Sequence, residues 1–506
     1  MNRTKITAAL LAALMLSSAF LPGCGKDEAE TTSQEPQQTQ TQPSADETEA
    51  ETEPEEVVDT RRPPNLPEDL TFDGETLNVW HFTQWDDPDA ERGIPITGDA
   101  EGDSVESAIF NRNLAVEDVL DMRFNFMDGG ISSGKVGDAV RQTVMTADTT
   151  YDLFNVLQWN TSQLALEHCF MTLAGAPYLD LEQPWWSQKY IADMSIGKDN
   201  LYFLAGDVTL DMIRCISAMY FNKNLYTDLW GEPDNMYTEV LDGKWTIDRL
   251  KAMTEEAYAD LNGDGVANDG DRWGLVTNNF NNIDAFTFGM GVVLTERDEN
   301  NLPYLVVDTE HNFDAYARTW ELVKQTTGAL LDQQIVNNLA KFREGNALFL
   351  PGFLYTSENL REMTDDYGII PFPKYDEAQA EYISCVHDIA TLMCLPTTCA
   401  KVELACAALE TMAYISYNEV TPLYYESALK VKYSRDQQSS QIIDMLHDAS
   451  MTDLAYVYAG ATNGVGMIMR NQVIIGNQNI ASAYARSKEA STKALETLIE
   501  NFNDVD

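Results

Sequence analysis

Strand-like and helix-like segments alternate along this chain, and that alternation limits its fold more than any other feature. Residues 77–82 (Leu-Asn-Val-Trp-His-Phe) read as a first strand. Residues 104–120 carry apolar side chains at helical spacing, with Ser104 as the N-cap. A second strand follows at 123–127, a helix at 136–146 and a third strand at 151–157. Strand, helix, strand, helix, strand in this order builds a mostly parallel α/β sheet. The pattern resumes at 218–222, Trp245-Thr246-Ile247-Asp248 opens a further helix, and helices predominate from Val402 onward. No internal repeat is visible.

The first residues have a different character. A basic start through Lys5 leads into an apolar run over 6–20, too short to span a bilayer and closed by Leu21-Pro22-Gly23-Cys24. That tetrad resembles the bacterial lipobox, so 1–23 is expected to be a lipoprotein signal peptide and Cys24 the lipidated residue. Stable anchoring takes more than one acyl chain. Residues 24–66 are rich in Glu, Asp, Thr, Gln, Ser and Pro and are expected to form a disordered acidic tether.

The chain carries a formal net charge of -48. That charge excludes nucleic acid and anionic lipid as partners, because both require basic surface. No later run is long enough to span a bilayer, which leaves the lipid as the expected membrane attachment. The six cysteines beyond Cys24 are spread through the folded part, several within apolar stretches, and are read as buried free thiols rather than bridges.

The sharpest local motif runs from Asp260 to Asp271. Asp260, Asn262, Asp264 and Asn268 occupy positions one, three, five and nine of an EF-hand register, with Gly265 at six, Val266 offering its carbonyl at seven and Asp271 at twelve. Ca²⁺ takes six to eight oxygen ligands, and the glycine lets the loop turn around it. Asp271 is shorter than the usual Glu, and Asp269 is an alternative carboxylate. The expected role of Ca²⁺ is structural. The competing reading is an Asn/Asp/Gly surface turn without metal.

A set of further segments occurs in a characteristic order. They are Asp103-Ser-Val-Glu-Ser-Ala-Ile-Phe-Asn-Arg-Asn113 with Val116-Glu117, Tyr151-Asp152-Leu153, Tyr220-Phe221-Asn222-Lys223 and Gly243-Lys244-Trp245-Thr246. Phe342-Arg-Glu-Gly-Asn-Ala-Leu-Phe349, Tyr367-Gly-Ile-Ile-Pro-Phe-Pro373 and Thr421-Pro422-Leu-Tyr-Tyr425 follow. From about Leu70 to the C-terminus the chain resembles the extracellular solute-binding lipoproteins of ABC importers, the sugar-binding family that includes maltose-binding protein.

The resemblance implies an α/β fold of two lobes with a hinge and an interlobe cleft, the type II periplasmic-binding-protein-like fold. Lobe one would comprise 70–211 plus 376–418, and lobe two 212–375 plus 419–506. The implied function is capture of a carbohydrate in the cleft and delivery to separate ABC transporter permease subunits. The chain would act as a monomer on the extracellular face of the bacterial membrane, and closure would be a hinge motion.

Ligands of α/β lobes collect at the C-terminal ends of strands, and sugars pair aromatic platforms with carboxylates and amides. Trp85 follows the first strand, Trp159-Asn160 the third, and Phe353 and Tyr355 the strand at 348–350. Asp207 precedes the first lobe crossing, and His387-Asp388 lies near the second. These are the candidate ligand residues, whereas Trp185, Trp186, Trp230 and Trp245 are read as structural. The alternatives are a lipid-anchored hydrolase and a surface adhesion module. Gly130-Ile131-Ser132-Ser133-Gly134 matches a G-x-S-x-G elbow but has no tight turn and no His-Gly-Gly-Gly partner segment.

Overall fold

The computed structural model describes residues 60–81, 96–130, 133–197, 200–426, 429 and 437–503. Cys24, the leader, Trp85 and Ser132 lie outside the described residues. So does the expected tether up to residue 59.

Glu75–His81, Met122–Asp128 and Leu153–Leu157 pair in parallel, and Thr391–Cys394 adds an antiparallel edge strand beside Leu153–Leu157. Parallel pairing requires a crossover, and the helix Ser104–Leu120 supplies the first one. Its N-cap is Asp103 rather than Ser104. The Asp103 carboxylate accepts from the Val105 and Glu106 amides at 3.0 and 3.2 Å, and Glu106 reaches back to the Asp103 N–H. This reciprocal box contributes about 1 kcal/mol over an uncapped start.

One face of the sheet is covered by the helix Val402–Ile415, whose alanines let it sit close. Glu410 on that helix is fully buried and accepts hydrogen bonds from the Trp185 and Trp186 indoles and from Asn65. Burial pushes its carboxyl up to about 7, against the pull of those donors. Asn65 and the buried Leu66 show that the tether ends before residue 66. Residues 60–66 already belong to the fold, because Arg62 satisfies the carbonyls of Pro67, Leu70 and Val119.

The second sheet has the order Tyr367–Ile370, Ser217–Asn222, Ala347–Phe353, Trp273–Thr277, Ala329–Leu331. Its first three strands pair antiparallel and its last three parallel. Each strand but the last is buried at every position, as expected for a sheet covered on both faces.

Three segments link the two sheets. Residues 211–217 and 384–391 run side by side, joined by the Ile216–Val386 bridge, the His387 N–H to Cys215 carbonyl bond (2.9 Å) and Asp211 accepting from the Thr391 amide and hydroxyl. The third runs through 416–424. There Ser416 accepts from Arg112 of lobe one, and Tyr424 donates to Glu358 of lobe two.

The second crossing thus comes later than the expected 375–376 boundary. Lys374, Gln379 and Tyr382 still bind lobe-two backbone at Trp245, Gly289 and Val240. The C-terminal part is also shared between lobes rather than confined to lobe two. Tyr458 donates to the Met194 carbonyl, and Phe502 packs on Tyr202 with ring centroids 4.6 Å apart.

Candidate functional site

The C-terminal ends of strands in both lobes converge on the hinge. In lobe one, Leu153–Leu157 runs directly into the helix Gln158–Leu166. The Gln158 and Trp159 amides donate to the Ala390 and Asp388 carbonyls (2.9 and 3.1 Å), so Trp159 stands beside the second crossing. Its indole is 40 % exposed, which is costly for so large an apolar group unless something covers it. Next to it, Asn160 Oδ1 and Ser162 Oγ are buried atoms without a hydrogen-bond partner.

In lobe two, Phe353 ends the strand Ala347–Phe353, and Tyr355 stacks on it at 5.6 Å and 14°. The His387 ring lies 4.4 Å from Phe353, which joins this aromatic pair to the hinge. Both rings are buried, so they form a wall and not an open platform. Phe280, just past Trp273–Thr277, is 40 % exposed. It is flanked by Asn278, Asn279, Asn281 and Asn282, all buried. Sequence reasoning missed this run. Its signal was available: a cluster of amides straight after a strand, in the same position relative to its sheet as Trp159.

Between the lobes lies a buried charged group. His387 Nδ1 is 2.6 Å from Asp388 Oδ1, and Asn281 contacts His387 Nε2. Arg470 lies 3.2 Å from both Asp388 Oδ2 and Asp284 Oδ2. Burial pushes the Asp388 carboxyl up, but His387 and Arg470 outweigh it and leave the group well below the usual carboxylate range. Burial, reinforced by Asp388, raises Asp284 to about 7 even though Arg470 pulls the other way.

A cavity of about 60 Å³ sits at the ends of Trp273–Thr277 and Ala347–Phe353. Phe353, Tyr355, Asn281 and Asn282 line it, together with Val336 and Asn338 of the helix Ile335–Arg343. A larger cavity, of about 1090 Å³, lies elsewhere, between the helix Gln188–Met194 and the hairpin at 295–305. Arg297 crosses beside it to the Ser195 carbonyl.

The structure therefore brings together Trp159, Asn160, Phe353, Tyr355 and Asp388. Asp207 does not join them. Its Oδ1 accepts from Thr421 Oγ1 at 2.8 Å, tying the first crossing to the third, and burial raises its carboxyl to about 7 against that bond.

The loop at 260–271 lies at the opposite end of Trp273–Thr277, closed by the Ala259–Arg272 bridge. Asp260, Asn262, Asp264 and Asn268 each accept a loop amide, from Gly265, Asp264, Val266 and Gly270 at 2.7–2.9 Å. Gly265 takes φ +73°, where a side chain would be strained. Asn268 Nδ2 donates at 2.8 Å to both Asp264 Oδ2 and the Val266 carbonyl, so an N–H fills the space between ligand oxygens.

Asp271 is buried and accepts from Tyr258 and the Asn268 amide through Oδ2, while its Oδ1 has no donor. Oxygen-only donors and an orphaned buried carboxylate oxygen fit a hard cation. Among the described residues no three His, Cys, Asp or Glu side chains converge on one point, so amide and backbone oxygens would complete such a site. Asp269, the alternative carboxylate, pairs with Lys341 at 2.7 Å.

No family model matches the chain, and neither does any curated protein. Solved structures do match. A cyclic α-maltosyl-1,6-maltose binding protein from Arthrobacter globiformis is 12 % identical, with TM-score 0.55, over 85 % of this chain and 100 % of that one. UgpB from Mycobacterium tuberculosis, in complex with glycerophosphocholine, is 13 % identical, with TM-score 0.54, over 85 % of this chain and 98 % of that one. An ABC transporter solute-binding protein from Thermotoga lettingae, bound with α-D-tagatose, is 11 % identical, with TM-score 0.53, over 83 % of this chain and 100 % of that one.

The chain has the two-lobed, type II solute-binding-protein fold. The residues described above gather where the linking segments meet the two sheets. Trp159 contributes from one lobe, Phe280, Phe353 and the asparagines from the other, and His387-Asp388 from the hinge.

Proposed function

We propose that this protein is an extracellular solute-binding receptor that captures a carbohydrate between its lobes and delivers it to the permease of an ABC importer. The observation that carries the reading is the convergence of exposed Trp159 and Phe280 from opposite lobes on a hinge flanked by unsatisfied amides. Sugars offer apolar C–H faces to aromatic rings and hydroxyls to amides. Two of the three similar structures are named for ligands of this class, a cyclic maltosyl-maltose and tagatose, and the third for glycerophosphocholine. Lipidation at Cys24 would hold the receptor near its importer without a spanning segment, and no helix among the described residues is long and apolar enough to cross a membrane.

The loop at 260–271 is proposed as a calcium site, for which Asp260, Asn262, Asp264, Val266, Asn268 and Asp271 would draw together around the ion and the Asn268 amide would turn its N–H away. Its role is to stiffen lobe two. Calcium there would compensate charge and take no part in solute capture.

One observation favours a hydrolase, namely the opposed shifts of Asp284 and Asp388, a pattern that separates acid from base in glycosidases. Both carboxylates, however, face Arg470 and are buried, which leaves no face for an attacking water. A melting-shift screen of the full chain across oligosaccharides, with and without calcium, tests the proposal. A shift with one sugar, recovered intact by chromatography, is expected. Turnover of that sugar would favour the hydrolase, and stabilisation by peptides alone would overturn the ligand class.

A further inference from the structure

A buried guanidinium sits where the three linking segments meet. Arg214, 1 % exposed, donates from Nε and Nη2 to the two Glu358 oxygens at 3.1 and 2.9 Å, and from Nη1 to Asp211 Oδ1 at 3.2 Å. A two-pronged guanidinium–carboxylate pair fixes direction as well as distance. Burial works against the charge, but Glu358 outweighs it and keeps Arg214 protonated.

Each carboxylate carries the connection onward. Asp211 stands at the start of the first linking segment, and its Oδ2 accepts from the amide and hydroxyl of Thr391 at 3.1 and 2.7 Å. Thr391 ends the second segment and opens Thr391–Cys394, the edge strand of the lobe-one sheet. Glu358 belongs to lobe two, on the short helix Thr356–Asn359 that follows Phe353. Its Oε1 also accepts from Tyr424 of the third segment at 3.0 Å. Arg214 thus leads through Asp211 to lobe one and through Glu358 to lobe two, and its two partners reach the remaining segments.

The same residue supports the aromatic wall. The Tyr355 amide donates to the Arg214 carbonyl at 3.0 Å, and the guanidinium carbon lies 5.9 Å from the Tyr355 ring centre. Tyr355 stacks on Phe353, and Phe353 meets His387 of the second segment. Arg112, the other buried guanidinium near the linking segments, makes a contrast. It donates to the Val208 carbonyl and Ser416 Oγ, neutral acceptors on the lobe-one side.

We infer that Arg214 is a positioning residue: it fastens the three linking segments into one unit, and that unit sets the angle at which lobe two presents the Phe353–Tyr355 wall to Trp159 of lobe one. This concerns the two-lobed fold itself and holds whatever the ligand class.

Hydrogen exchange of the unliganded full chain, read by mass spectrometry, tests it in three variants. Glu358→Gln takes away the charge that holds the guanidinium. Arg214→Lys keeps the charge but replaces the fork by a point, and it serves where Glu358→Gln does not fold. Tyr424→Phe removes one hydroxyl at the edge of the group. In the first two variants the amides of 211–217, 384–391 and 416–424 should all exchange about tenfold faster or more, while the helices Ser104–Leu120 and Glu310–Gln325 keep the parent rates. In Tyr424→Phe only 416–424 should speed up.

Unchanged exchange, acceleration confined to the neighbourhood of the substituted residue, or equal acceleration throughout both lobes would overturn the inference. So would acceleration of all three segments in Tyr424→Phe, which would move the fastening point to the third segment. Small-angle scattering of the same samples reads the angle. The radius of gyration of Arg214→Lys should differ from that of the parent, and an unchanged value would overturn the positioning role.

Discussion

Replacing Arg470 by Met removes the guanidinium shared by Asp284 and Asp388 and leaves two buried carboxylates, of which Asp388 keeps His387 beside it. Arg470 lies 3.2 Å from each, and its own burial is outweighed by the pair, which hold its guanidinium firmly protonated. Removing one partner from a buried ion pair costs about 3–5 kcal/mol. Unfolding entropy near 2.1 cal/mol/K per residue over the roughly 440 residues of the folded part amounts to about 0.9 kcal/mol/K, so the melting temperature should fall by about 3–5 °C.

The pH dependence gives the test its sign. Asp284, at about 7 in the fold, lies above the usual value near 4, so its stabilising contribution is complete below about pH 4 and is lost as pH rises through 7. Asp388 is depressed, so its contribution is present above about pH 4 and is lost on acidification. Without the cation both carboxyls move upward and are protonated together in mild acid. The deficit should therefore be largest at pH 8 and smaller at pH 5. Thermal melts of parent and variant at the two pH values measure it directly. A drop below 1 °C at pH 8, or a larger deficit at pH 5, would refute the assignment of Arg470 as the cation that neutralises the hinge.

Calcium at a hundredfold excess over its dissociation constant should stabilise the parent by about 2.7 kcal/mol, roughly 3 °C on the same scale. Asp264→Ala should abolish that shift in a melt with and without chelator. Trp159→Ala removes a ring that is 40 % exposed, so stability should change by less than about 0.5 kcal/mol while sugar affinity falls at least tenfold by calorimetry. Of the six cysteines that are unbridged, only Cys399 is not fully buried; the rest, including Cys385 and Cys406 with thiols pushed up to about 12 by burial, should stay unreactive. A disulfide-exchange reagent at pH 8 should modify Cys399 first, and the other five only after denaturant is added.

What the sequence revealed follows the range of the interactions involved. The strands and helices of the first sheet were legible because periodicity is local, and the expected bounds lie within two residues of those found. The placement of Trp159 at a strand end was legible for the same reason. Asp207 went elsewhere because its partner, Thr421, is 214 residues away. The asparagines at 278–282 drew no reading from the sequence. They become a site only when Ile335–Arg343 and Ala347–Phe353, from later in the chain, enclose them. The second lobe crossing was set too early because Lys374, Gln379 and Tyr382 are held by lobe-two backbone contacts that leave no mark on local composition.

Equilibrium dialysis of the full chain against a mixture of neutral and charged oligosaccharides, followed by mass spectrometry of the retained sugar, tests the central claim most directly. One intact sugar retained per chain is the expected result. Retention of nothing, or recovery of shortened products, would contradict it.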